Sequence, residues 1–213
     1  MATAQSAYTS AQATPLAGVP ESSRHSAIVR VTHWINALSF FGLVVSGFAI
    51  LIAHPRFYWG ETGGLGTPYV FELPLPYMKG GPSGWGRNLH FLVAWICVAN
   101  GLVYALSGLV TRHFRRRLVT PNENYDVLQR MAYLSVIFGL LPFLTWTGFA
   151  MSPALTSLAP AFVTSLGGQQ SARTLHFFAA IAIVVFFVGH LAMVYASGFR
   201  KQFLAMIFGK ERA

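Results

Sequence analysis

Charge is what this 213-residue chain has least of. Asp, Glu, Lys and Arg make up 10% of it, against about a quarter in an ordinary soluble domain. Hydrophobic residues make up 54% and mean hydropathy is +0.51, which describes a polytopic membrane protein folded as one domain. Cysteine is nearly absent too. Cys97 stands alone within an apolar stretch, which excludes an internal disulfide and any cysteine-based zinc or iron–sulfur site. No CxxCH occurs, so the attachment motif of a c-type haem is missing, and Cys97 reads as a small buried hydrophobe. Acidic residues number six in the chain, and none falls within an apolar span. Ion carriers and proton pumps usually need such a group inside the membrane, so its absence counts against a transporter. The net charge of +9 could suit nucleic acid, but the basic residues cluster at the ends of apolar runs, so no nucleic-acid partner is expected.

What is there is four long apolar runs, at about 28–53, 88–110, 131–151 and 174–199. Each is close to or above the roughly 20 residues a helix needs to cross a bilayer. Residues 1–26 are rich in Ala, Ser and Thr, have no basic segment leading into an apolar one, and read as a flexible cytoplasmic tail rather than a cleaved signal. Residues 27–213 form the transmembrane domain. The third span contains Gly139 and Pro142, and proline in a membrane helix usually marks a kink. Eleven basic residues lie before or at the start of span one, between spans two and three, or after span four; Arg56, Lys79, Arg87 and Arg173 lie on the other side. The positive-inside rule therefore puts both termini in the cytoplasm and the two aromatic, Pro- and Gly-containing loops outside.

The histidines carry the chemistry. Of seven, His25, His54 and His113 lie in or beside loops and read as interfacial. His33, His90, His176 and His190 lie in spans, where an ionisable residue is costly and points to function. His176 and His190 are fourteen residues apart, which returns to within about 40° of the same helix face and separates their Cα atoms by about 21 Å. Depth pairs the rest. His33 begins a span that starts inside and His190 ends one that finishes inside; His90 and His176 both begin spans that start outside. Two imidazoles at each of two depths suit haem iron, with one axial nitrogen above the ring and one below. Zinc or copper would want three or four ligands at one point. Bis-histidine ligation leaves no open position, so the chemistry expected is electron transfer.

Three of these histidines follow an arginine by three residues: Arg30 before His33, Arg87 before His90 and Arg173 before His176. Residues at i and i+3 share a helix face, so each Arg can hold haem propionates by charge-assisted hydrogen bonds; ordinary snorkelling to the headgroups is the alternative. Gly47 and Gly101 fall on the histidine faces at the opposite level and could give clearance to a haem, although small residues are common at membrane helix contacts. Near the start of span three, Asn122, Asn124, Tyr125, Asp126, Gln129 and Tyr133 form a polar cluster. It suits a quinone head group, or simply a capped helix start. The aromatic residues Phe57, Tyr58, Trp59, Tyr77 and Trp85 suit a docking surface or an interfacial belt.

The segments RVTHW (30–34), GRNLHF (86–91), TLHFF (174–178) and VGHLAM (188–193), with the fourteen-residue gap, resemble the bacterial di-haem cytochrome b subunits of hydrogenase, formate dehydrogenase and thiosulfate reductase. The run PRFYWGETG (55–63) is similar to the thiosulfate reductase branch. The resemblance implies an all-α integral membrane protein, a four-transmembrane-helix bundle holding two b-type haems in the bacterial inner membrane. It implies that His33 with His190 ligates the inner haem and His90 with His176 the outer. It implies exchange of electrons between membrane quinone and a periplasmic oxidoreductase subunit of molybdopterin type, with Asp126 and Gln129 in the segment comparable to the family's quinone site. Two other readings stay open: a stand-alone quinone oxidoreductase acting on a small species such as superoxide, and a haem-free anchor or metal transporter.

Overall fold

The structure is a computed structural model that describes residues 26–64, 66–76, 83–111 and 127–209. The tail through residue 25, Tyr77, Lys79 and Asp126 lie outside the described residues. Helix α1 (Ala27–Ala53) opens on the Ser26 cap. A short hairpin follows, β1 (Arg56–Phe57) pairing antiparallel with β2 (Phe71–Glu72), and leads to α2 (Ser83–Val110). The third span is composite: α3 (Val127–Ser135), a π-helical segment (Val136–Leu140) and α4 (Leu141–Ala150). Two short helices, α5 (Pro153–Leu158) and α6 (Ala161–Thr164), precede α7 (Gln169–Ala196), and α8 (Phe199–Phe208) closes the chain. Four of these stretches are long and apolar enough to cross a membrane: Ala27–Ala53, Gly84–Val110, Arg130–Ala150 and Gln169–Ala196.

Large apolar side chains point outward, as lipid allows. Leu38, Phe41, Val45 and Phe48 of α1 are exposed, while its buried positions are Thr32, Ser39, Ser46, Ala49 and Ala53. Small residues let backbones approach where lipid supplies no hydrophobic drive between helices. The stripe Thr32–Ser39–Ser46–Ala53 recurs every seven residues and sets the seam of α1 against α2. A Cβ on Gly86 would come within 2.8 Å of the Ala49 Cβ. Asn100 of α2, buried in this seam, donates to the Thr32 carbonyl at 2.8 Å and to Asn36 Oδ1 at 2.7 Å.

The bundle is built as two helix pairs. Helices α1 and α2 lie against each other, α4 lies against α7, and backbone approach between the pairs is sparse. Side chains bridge the gap midway, where Phe40 meets Phe187 at 4.3 Å between ring centres.

Proline shapes the third span. Pro142 has no N–H to give Phe138, and its ring would crowd that carbonyl. The turn just before it widens to π geometry, with Leu141 N–H reaching back to the Val136 carbonyl. Span four ends sooner than its hydropathy predicts. Gly198 at φ 90° turns the chain into α8, a helix the sequence reading leaves as a tail.

Candidate functional site

Each level of the gap between the helix pairs holds two histidines. His90 of α2 faces His176 of α7 with ring centres 6.2 Å apart and planes at 68°. His33 of α1 faces His190 of α7 at 6.4 Å and 54°. Each couple takes one imidazole from each helix pair. Two imidazoles on opposite sides of one metal, each bound at about 2 Å, hold their ring centres about 6 Å apart. Both couples have that separation. Among the described residues no three His, Cys, Asp or Glu side chains gather as a metal cluster, so the donor set is two nitrogens per level.

Within each helix pair the neighbouring helix holds the imidazole. Ser46 of α1 lies 3.0 Å from His90 Nδ1, and its own hydroxyl donates to the Gly42 carbonyl at 2.7 Å. Thr147 of α4 lies 2.8 Å from His176 Nδ1 and donates to the Phe143 and Leu144 carbonyls. Tyr133 Oη lies 3.4 Å from His190 Nδ1. Tyr133 and Thr147 are fourteen residues apart, the histidine interval of α7 run in the opposite direction. Sequence reading gave span three only packing and the quinone cluster; in the structure it touches both α7 histidines. The missed signal was a hydroxyl at the matching interval.

The arginines divide. Arg173 donates to the Arg56 carbonyl at 3.0 Å and to the His54 carbonyl, and lies over the Phe57 ring at 4.9 Å. Its guanidinium ties down the loop that follows α1. Arg30 Nη1 donates to the Ile207 carbonyl at 3.0 Å, clamping the end of α8. Its Nε is buried with no hydrogen-bond partner among the described residues, one turn from His33, and could donate to a haem propionate. Arg87 is exposed at the start of α2. Beside it, His54 is held below its ordinary pKa by partial burial, then by the charges of Arg173 and Arg87.

The aromatic loop does not stand out as one surface. Phe57 and Tyr58 are buried, with Phe57 against Phe71 and Phe177, so they cannot meet a partner; Trp59 and Trp85 are exposed. The same loop caps α7. The Gly60 carbonyl accepts from Gln170 and Ser171 N–H, Glu61 accepts from Gln169 N–H, and Thr174 Oγ1 donates to the Tyr58 carbonyl. Glu61 also lines an open groove of about 410 Å³ with Thr156, Ser157, Val163 and Gln169.

The glycines sit as follows. A Cβ on Gly47 would contact the His90 ring at 3.7 Å and one on Gly148 the His176 ring at 3.8 Å, while one on Gly101 would meet nothing within 4 Å. Of the quinone candidates, Gln129 lies in α3.

The family model described as prokaryotic cytochrome b561 matches residues 24–209. The chain is also similar to a putative protein-methionine-sulfoxide reductase subunit, YedZ1, of Azospira oryzae, with 29% identity over 191 residues covering 80% of this chain and 89% of the relative.

Proposed function

We propose that this chain, which belongs to the prokaryotic cytochrome b561 family, carries electrons across the membrane between the quinone pool and an oxidoreductase docked on its outer face. Family membership makes it a multi-pass membrane cytochrome with b-type haem. The number of haems, their ligands and the partner are our reading. Held by two imidazoles, a b-type haem would supply a one-electron carrier.

The observation that carries the reading is the pair of imidazole couples, at 6.2 and 6.4 Å, each spanning the gap between the helix pairs. His90 and His176 would hold the outer haem, and His33 and His190 the inner. Arg30 Nε offers a buried donor one turn from His33. Arg87, exposed one turn before His90, is the proposed outer propionate donor, since Arg173 is engaged with loop carbonyls. Phe40 and Phe187 meet across the gap between the two levels. On the inner side, Asp126 and Gln129 are the proposed quinone contacts, with Tyr133 beside His190.

The relative's description as a reductase subunit supports an outer partner that consumes electrons. We take that partner to be a molybdopterin-type periplasmic reductase and the direction of flow to be outward from quinol. The membrane would be the bacterial inner membrane, with both termini cytoplasmic.

Reduced-minus-oxidised spectra and haem quantification on the purified chain test this. Two b haems per chain are expected, and His90→Ala and His33→Ala should each remove one and spare the other. No b-type signal would sink the reading; loss of both haems in each variant, or of neither, would refute the pairing.

A further inference from the structure

The hydrogen bonds around the outer couple have a direction. The Ser46 hydroxyl gives its proton to a carbonyl 2.7 Å away, and the Thr147 hydroxyl gives its own to carbonyls at 3.0 Å. A hydroxyl has one proton. With that proton on the carbonyl, each oxygen accepts from His90 or His176, and the imidazole donates from Nδ1. That assigns the Nδ1–H tautomer to both rings and leaves both Nε2 lone pairs for a metal. Ser and Thr in membrane helices often bond back to their own helix, which alone would leave the oxygen facing anything. Here the two oxygens from different helix pairs meet the two rings of one couple, at 3.0 and 2.8 Å. Both are fully buried, so neither bond competes with water.

We propose that Ser46 and Thr147 are positioning residues that fix the outer imidazoles as Nδ1–H tautomers and set the reduction potential of the haem they hold, independently of the inner one. This rests on the haem reading above. An imidazole that donates from Nδ1 is a more basic metal ligand. A more basic ligand favours the oxidised iron and lowers the potential, and an acceptor whose own proton is engaged strengthens the effect. The inner level is built differently: His190 meets a phenol at the longer distance of 3.4 Å. The two levels therefore respond to different residues.

The test is an optical redox titration of the purified full-length protein, with low-spin electron paramagnetic resonance of the oxidised form. Thr147→Val keeps the volume and removes the hydroxyl acceptor, leaving only the Leu144 backbone contact to His176. It should make reduction of one haem about tenfold more favourable, a rise of about 59 mV for one electron, while the other component stays in place. Thr147→Ser should restore the wild-type value. Ser46→Ala should move the same component in the same direction. Two haems with unchanged potentials in Thr147→Val and Ser46→Ala would overturn the proposal, as would equal movement of both components. If Thr147→Val fails to load haem, Ser46→Ala decides alone: a shift of one component supports the assignment and no shift refutes it. Wild-type protein without b haem would instead refute the haem reading itself.

Discussion

At the scale of single residues, a position's chemistry here depends on what its neighbours have already taken. Arg173 and Arg87 each precede a histidine by three, yet Arg173 is committed to two loop carbonyls and the Phe57 face. Hydrogen bonds from a charged donor are worth about 1.5–3 kcal/mol each, and Arg173 is partly buried. Arg173→Lys loses the planar fork that reaches both carbonyls. It is expected to lower the melting temperature in detergent and to open residues 54–64 to protease, while Arg87→Lys does neither. An unchanged proteolysis pattern would contradict the loop-anchor role. His54 gives a pH signature. Its folded pKa lies below the ordinary 6.5, from burial and then from Arg173 and Arg87. As pH falls through about 6.5 the unfolded chain takes up a proton that the folded one refuses, so stability drops. The loss levels off below the folded pKa. Melting curves between pH 8 and 5 should show this slope, and His54→Gln should make it shallower.

At the scale of elements, the aromatic loop after α1 is the N-terminal cap of the helix that carries two histidines. The first N–H groups of a helix have no partners within it. Gly60 and Glu61 supply acceptors for those of α7, and the Glu61 carboxylate also suits the positive helix end. Gly168 makes the approach possible. Its φ is 117°, and a Cβ there would come within 2.4 Å of the Gly60 carbonyl. Gly168→Ala is therefore expected to displace the loop from α7 and to destabilise the protein by several-fold more than Gly64→Ala, whose Cβ would meet nothing within 4 Å among the described residues. Thermal melts of the two variants make the comparison. At the other end of the bundle α8 packs on the start of α1, with Trp34 Nε1 donating to the Met206 carbonyl and Arg30 to Ile207. That contact joins the chain's last helix to the helix bearing His33.

At the scale of the whole molecule, the two helix pairs form layers with a gap between them, and every imidazole couple crosses it. This arrangement makes the molecule responsive to orientation in the bilayer. With both termini inside, a membrane-impermeant maleimide applied to spheroplasts should label Trp59→Cys and not Arg200→Cys, both made in a Cys97→Ala background. The opposite pattern would reverse the proposed topology and move the partner to the other face.

The sequence by itself determined that the chain crosses the membrane four times, because a stretch of some twenty apolar residues has no other stable place for its backbone polar groups. It also showed which histidines share a helix face, because the α-helical period is fixed by covalent geometry and hydrogen bonding. Their couples at 6.2 and 6.4 Å, the grip of Ser46, Thr147 and Tyr133, the commitment of Arg173 to a loop, the burial of Phe57 and Tyr58 and the docking of α8 were decided only by tertiary structure. Each of these joins residues far apart in the chain. A hydroxyl in an apolar span bonds its own backbone by default, and only the rotation and register of the neighbouring helix determine whether its remaining lone pair meets lipid, another helix or an imidazole.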